Sequence, residues 1–271
     1  MTTVRPVALV TGASSGIGKA TALALVAAGF DVVGTSRDPS RVAPLDGVTF
    51  VALDVALDAS VAAAVQEVSE RFGRIDVLVN NAGVGSTGAA EETSVEQAQA
   101  VFDTNVFGVM RMVTEVLPHM RARRGGRVIN ISSVLGFMPQ PYMAVYAASK
   151  HAIEGYTESL DHEVREHGVR ALLVEPAYTS TGFEANSGRP DTPLDAYAKQ
   201  RQTVGRVLAE ATREGDAPAV VARTIVAAAT DARPKLRYTA GPTAGRVSTL
   251  RRLVPARAFD KQIRKINHLA G

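Results

Sequence analysis

With 271 residues, 46% hydrophobic and 21% charged, the chain can bury a large core and falls outside the disordered class. The absence of cysteine excludes a disulfide framework, a Cys-ligated zinc and a thiol nucleophile, and fits a reducing compartment. The formal charge of +3 conceals an asymmetry: residues 232–271 carry ten Lys/Arg against one acid, Asp260, whereas the remainder holds 20 basic and 26 acidic groups.

Arg5 and Pro6 interrupt any leader-like segment at the start. No apolar run approaches the roughly 20 residues of a spanning helix. The expectation is therefore a soluble, cytoplasmic protein. "VALVT" (7–11) reads as a strand, and residues 17–28 continue with helical periodicity that ends at Gly29. "DVVGTS" (31–36) and "VTFVALD" (48–54) are the second and third strands. Asp58 and Ser60 are candidate N-caps for a helix that closes at Gly73, and "IDVLVN" (75–80) is strand four. A long helical stretch from about 94 to 121 leads to a strand at 127–131. A further helix over about 142–167 closes at Gly168, and residues 171–175 form a sixth strand.

These strands are near-continuous apolar runs, as expected when both faces are covered. Their alternation with helices predicts one α/β domain, a Rossmann-like doubly wound parallel sheet with helices on both faces. Residues 176–194, rich in Gly, Pro, Ser and Asn, are a long loop for a compact domain. The whole segment from 176 to about 215 reads as a substrate lid. Residues 242–271 are the basic tail. Such a tail can serve nucleic acid or an anionic membrane. Phe259, Ile263 and Ile266 recur at helical spacing and are expected to be buried, which points to a docked terminal helix with solvated charges and no nucleic-acid partner.

"TGASSGIG" (11–18) comes directly after strand one and opens the first helix. Gly12, Gly16 and Gly18 allow a tight turn and a close backbone approach, and the helix start presents N–H groups to an anion. The spacing is G-x-x-x-G-x-G and no Gly-Lys-Ser/Thr ends it, so a P-loop is excluded and dinucleotide pyrophosphate is favoured. The end of strand two meets the adenosine ribose, where a carboxylate favours a free 2′-hydroxyl and an arginine a 2′-phosphate. Here the strand ends "GTSRD". Arg37 predicts NADP(H) over NAD(H), with Asp38 either capping a loop or turning inward to restore NAD.

Seven short stretches now stand in order: "TGASSGIG" (11–18), "LDV" (53–55), "NNAG" (80–83), "NVFG" (105–108), "ISS" (131–133), "YAASK" (146–150) and "EPAYTST" (175–181). In this order and spacing they resemble the short-chain dehydrogenase/reductase family over nearly all of the chain up to about residue 185. The resemblance implies an NAD(P)-dependent oxidoreductase that interconverts a ketone or aldehyde and an alcohol. Tyr146 and Lys150 are four residues apart and share a helix face. A phenol ordinarily titrates near pH 10, and an adjacent ammonium lowers that value. Tyr146 is thus the implied acid/base. Lys150 tunes it and holds the nicotinamide ribose.

Ser133, thirteen residues before Tyr146, is the implied substrate-orienting serine, in preference to Ser132. Asn105 matches the family asparagine that holds a relay water behind the lysine. Asp54 and Val55 are implied to flank the adenine. Ser14, Ser15 and Ile17 in the glycine turn, with Asn81, Ala82 and Gly83, complete the cofactor support. Pro176, Thr179 and Thr181 stand on the far side, where Thr181 contacts the carboxamide. The chain departs from the family at Ala177, where Pro-Gly is usual, and at Thr179, where valine is common. Alanine resists positive φ, so the turn toward the nicotinamide is expected to differ in detail. The five histidines (119, 151, 162, 167, 268) show no ligand spacing, and no metal is expected.

Phe137, Met138, Pro139, Met143, Tyr178 and Phe183 make the substrate region apolar, which predicts a lipid- or steroid-like carbonyl or alcohol. Two rivals are a cofactor-binding regulator without turnover and a surface-binding protein using the basic tail. The first predicts a missing serine, tyrosine or lysine, and all three are present. An enoyl reductase would resemble Y-x-x-x-x-x-x-K, a spacing not found here. By family resemblance the chain is a homodimer or homotetramer, joined through the helices at about 94–121 and 142–167.

Overall fold

The computed structural model describes residues 5–183 and 187–269. Seven strands form one wholly parallel sheet: β1 (Val7–Val10), β2 (Asp31–Ser36), β3 (Val48–Ala52), β4 (Val77–Asn80), β5 (Gly126–Ile131), β6 (Val169–Pro176) and β7 (Arg237–Ala240). Their order across the sheet is β3-β2-β1-β4-β5-β6-β7. The chain therefore leaves β1 in one direction and returns to its other side with β4. Ligands of open α/β sheets bind at such a switch point, beyond the carboxyl ends of the strands.

Side chains along β1 divide by parity, as a pleated strand requires. Val7 and Leu9 enter the core under α2 (Asp58–Phe72), α4 (Gly108–Ala122) and α5 (Ala144–Val164). Ala8 and Val10 enter the core under α1 (Gly16–Ala27) and α7 (Pro218–Thr230). Helices thus cover both faces, as expected. A third cluster lies at the carboxyl edge of the sheet, where Leu135, Met143 and Tyr146 meet Val204 and Leu208 of α6 (Asp195–Arg213) and Ala244 of α8 (Pro242–Leu253).

Several boundaries are set by local chemistry. Gly73 and Gly168 take left-handed conformations, φ 69° and 75°, and end their helices where predicted. The start of α2 differs from expectation. Leu57 occupies the N-cap and Asp58 lies inside the first turn. The Ser60 hydroxyl instead accepts a bond from the Asp54 amide at 2.9 Å and fixes the end of the β3 loop. The long stretch near 94–121 is two helices, α3 (Val95–Phe102) and α4, joined by a π-helical turn over Asp103–Phe107. The tail is also helical, α8 and then α9 (Ala256–Ile266). In α9, Ile263 is buried and Phe259 half-buried, but Ile266 is 51% exposed, because it lies at the margin of the inward face.

Candidate active site

A cleft of about 760 Å³ opens at the carboxyl ends of β1, β4, β5 and β6. It brings together every candidate catalytic and cofactor-binding residue named from the sequence except Asn105. Its floor begins at the glycine turn. Gly12 and Gly16 hold φ of 64° and 53°, and a Cβ on Gly18 would sit 2.2 Å from the Gly12 carbonyl. Only glycine allows this approach. The "NNAG" segment is bonded directly to the turn. The Thr11 hydroxyl accepts from the Asn81 and Ala82 amides, both at 2.9 Å. The Asn81 side chain donates to the Thr11 and Gly12 carbonyls at 2.9 and 3.1 Å. Ser15 sits at the N-cap of α1 without a side-chain cap, and the first-turn residues line the cleft. A helix start and a glycine-rich turn with only small side chains together fit a dinucleotide pyrophosphate.

Arg37 is exposed on the rim. The Asp38 carboxylate turns into its own loop, accepting from the Ser40 amide at 3.1 Å and the Ser40 hydroxyl at 2.5 Å. Of its two expected roles it takes the capping one. Asp54 accepts from the Ala56 amide at 3.0 Å, and Val55 packs where Gly108 leaves room for it.

The reacting end is assembled from β5 and α5. Ser133 lies just beyond β5, and its hydroxyl accepts from the Leu135 amide at 3.1 Å and hydrogen-bonds the Tyr146 phenol. Ser132 also lines the cleft, with its hydroxyl buried beside Gly136 and Glu154. Tyr146 and Lys150 share one face of α5, with the Lys150 nitrogen 5.6 Å from the Tyr146 ring centre. The lysine also donates to the Ile131 carbonyl at 2.8 Å. The expected lowering of the phenol is not what this environment gives. Burial pushes Tyr146 well above the ordinary phenol value, and the Ser133 bond only partly offsets it. Burial likewise brings Lys150 down to about 8, opposed by the Glu154 carboxylate one turn on.

Asn105 lies in the π turn behind the pair. Its side-chain oxygen accepts from the Val84 amide at 2.8 Å, while its nitrogen donates to the Val84 carbonyl and the Ser149 hydroxyl at 2.9 and 3.1 Å. The side chain braces α5 against the loop after β4, which accounts for an asparagine inside a helical stretch. Ala177 avoids positive φ, so the departure from Pro-Gly costs no backbone strain. Thr181 approaches Gly16, and its hydroxyl accepts from the Phe183 amide at 3.2 Å.

Of the six apolar substrate residues, Met143, Tyr178 and Phe183 line the cleft. Phe137 and Met138 do not, because they pack on the cluster that α8 joins, and Pro139 is exposed beside the groove bordered by α9. Leu208 and Thr212 from α6 take their place. Sequence reading also missed Glu92. Fully buried, it accepts from the Ala89 and Leu194 amides at 3.0 and 2.8 Å and pairs with Arg201, tying the far end of the 176–194 loop to the segment after β4. One of two adjacent glutamates in an "AEET" stretch carried no signal of that role. His151 bonds the Ala147 carbonyl within its own helix, and no acidic or histidine cluster able to hold a metal occurs among the described residues.

Residues 6–191 match the family model for short chain dehydrogenases. The chain belongs to that family. As a short-chain dehydrogenase it is an NAD(P)-dependent oxidoreductase acting on carbonyl and alcohol groups. It is 38% identical over 240 residues to a 3-ketodihydrosphingosine reductase of Bacteroides thetaiotaomicron, covering 86% of this chain and 87% of that one. It is 38% identical over 253 residues to retinol dehydrogenase 8 of Bos taurus, covering 84% and 79%. Among solved structures, a short-chain dehydrogenase from Streptomyces avermitilis superposes with a TM-score of 0.82 at 33% identity, covering 98% of both chains. A member from Burkholderia phymatum (TM-score 0.79, 30% identity, 96% and 95% covered) was solved with NAD. A metagenomic member (0.70, 29%, 87% and 97%) was solved with NADP. No helix among the described residues is long and apolar enough to cross a membrane.

Proposed function

We propose that this dehydrogenase interconverts an apolar, lipid- or steroid-like ketone and its alcohol with NADP(H), using Tyr146 as acid and base. The observation that carries the reading is the convergence of Ser133, Tyr146 and Lys150 at the inner end of the glycine-floored cleft, beside Leu135, Met143, Phe183 and Leu208. When bound, the nicotinamide supplies or accepts the hydride. Tyr146 gives its proton to the substrate oxygen as charge develops there, and takes it back in the opposite direction. The Ser133 hydroxyl holds the same oxygen. Lys150, in its charged form, stabilises the phenolate and holds the nicotinamide ribose. Gly12 to Gly18, with Asn81, Ala82 and Gly83, cradle the pyrophosphate. Asp54 and Val55 flank the adenine, and Pro176, Thr179 and Thr181 border the nicotinamide. Asn105 steadies α5 and serves the proton route behind Lys150.

Arg37 reads the 2′-phosphate. Support comes from its place on the rim and from the Asp38 cap on Ser40, which occupies that carboxylate in its own loop. The apolar preference is supported by the cleft walls and by relatives named for ketodihydrosphingosine and retinol. Residues 176–215 act as the substrate lid. The protein works in the cytoplasm as a homodimer or homotetramer joined through the 94–121 and 142–167 helices, where Phe107 is left 47% exposed. A panel of carbonyls of graded hydrophobicity, monitored by nicotinamide absorbance, tests the reading. Catalytic efficiency is expected to climb with apolar size; turnover confined to small hydrophilic carbonyls contradicts it.

A further inference from the structure

The basic tail folds as a helix pair whose outer surface has no apolar cover from the rest of the described chain. On α8, Arg246, Leu250 and Leu253 recur at i, i+4 and i+7 along one exposed face, with Leu250 at 52% and Leu253 at 77% exposure. On α9, Arg257, Lys261 and Lys265 form an exposed cationic row on the face turned away from buried Ile263. Arg252 adds another exposed cation between them, and Asp260 is the one acid after residue 231.

The inner surface of the pair is firmly seated. Arg251 donates to the Phe137 carbonyl at 3.0 Å and lies 5.1 Å from the Phe259 ring centre. Asn267 is buried and accepts from Gln140 at 2.6 Å, and its backbone carbonyl accepts from Gln200 at 3.0 Å. Ala244 and Val247 join the cluster that contains Leu135, Met143 and Tyr146. The pair is therefore packed against the segment that bounds the substrate end of the cleft.

We propose that α8 and α9 are a docking surface for an anionic lipid bilayer, with Leu250 and Leu253 entering the acyl boundary and the surrounding cations meeting lipid phosphates. Charge complementarity selects the occupant. A cationic helix bearing exposed large aliphatics matches the headgroup boundary of an anionic membrane. Each Lys or Arg near such a surface adds about 1 kcal/mol, roughly fivefold in partitioning. Nucleic acid would use the cations and leave two leucines without a role. The docking itself stands on these helices; its use, taking an apolar carbonyl or alcohol directly from the bilayer into the adjacent cleft, rests on the proposed apolar substrate.

The test is co-sedimentation of the full chain with phosphatidylglycerol-containing vesicles and with phosphatidylcholine vesicles at rising salt. Binding is expected to the anionic vesicles alone and to weaken with salt. Leu250→Ser/Leu253→Ser is expected to weaken it by roughly tenfold or more, and Arg246→Glu/Lys261→Glu by a similar factor. Turnover of a detergent-dispersed carbonyl is expected to stay at the wild-type level in both variants, so failure of docking is separable from failure of the substrate reading. Equal or absent binding to the two vesicle types overturns the proposal. So does binding to duplex DNA that the leucine variant retains, which assigns the surface to nucleic acid. Loss of an oligomer in the leucine variant, seen by sedimentation velocity without vesicle binding, assigns it to a second copy and also overturns the proposal.

Discussion

Arg37 and Asp38 stand side by side at the end of β2 with opposite charges and different surroundings. Asp38 is consumed by the Ser40 cap, whereas Arg37 lies at the rim of the cleft. A charge-assisted hydrogen bond to a phosphate contributes about 1.5–3 kcal/mol. Arg37→Ala is therefore expected to weaken NADPH by roughly 10- to 100-fold in a fluorescence titration while leaving NADH nearly unchanged. An unaltered NADPH:NADH ratio would show that another group reads the phosphate. Lys150 gives a second prediction. Its folded value, about 8, lies below the ordinary lysine value of 10.5, so the folded chain binds fewer protons than the unfolded chain between the two. Stability rises with pH wherever the unfolded state binds more protons. The melting temperature of the cofactor-free protein is expected to gain a rising contribution between about pH 8 and 10 that Lys150→Met removes. The raised Tyr146 acts in the opposite sense above about pH 10, where the unfolded phenol loses its proton first and stability falls as pH rises. These residue assignments were legible as motifs, but the balance of burial against neighbouring charge was not, since it depends on what the fold packs around them.

At the scale of elements, Arg237 is the joint of the sheet's last edge. From β7 its guanidinium meets Glu154 on α5, Glu175 at the end of β6 at 2.6 Å, and Glu158 at 2.7 Å. Glu154 and Glu175 are almost fully buried. Removing one partner of such a set leaves uncompensated charge in a desolvated place, at a cost of about 3–5 kcal/mol. Arg237→Met is expected to lower the urea midpoint accordingly without changing the slope; an unchanged midpoint would show that the carboxylates are adequately solvated without it. This joint also explains what sequence reading missed. β1 to β6 were visible as apolar runs, but "RYTA" begins with a cation whose acidic partners lie 62 to 83 residues away. α6 and α7 went unassigned because they lie beyond the irregular loop, where no motif marks their start. The π turn was invisible because its helical periodicity continues on both sides, and only the Asn105 braces mark it.

For the whole molecule, the topology does the positioning. The β1/β4 switch point places the glycine turn against "NNAG", while β5 and the adjoining α5 bring Ser133 to Tyr146. Short motifs marked nearly all the residues that line the glycine-turn half of the cleft, because the proposed cofactor chemistry needs particular residues at fixed spacing. The substrate half was only partly legible. Phe137 and Met138 pack beneath the tail, and Leu208 and Thr212 arrive on a helix with no family motif. The central claim is that Tyr146 transfers the proton, and it is tested most directly by Tyr146→Phe, with NADPH binding and single-turnover reduction measured on the same protein. NADPH affinity and the melting temperature are expected to stay close to wild type while the rate falls roughly 10²–10⁴-fold. Reduction at a near-wild-type rate in that variant would contradict the assignment.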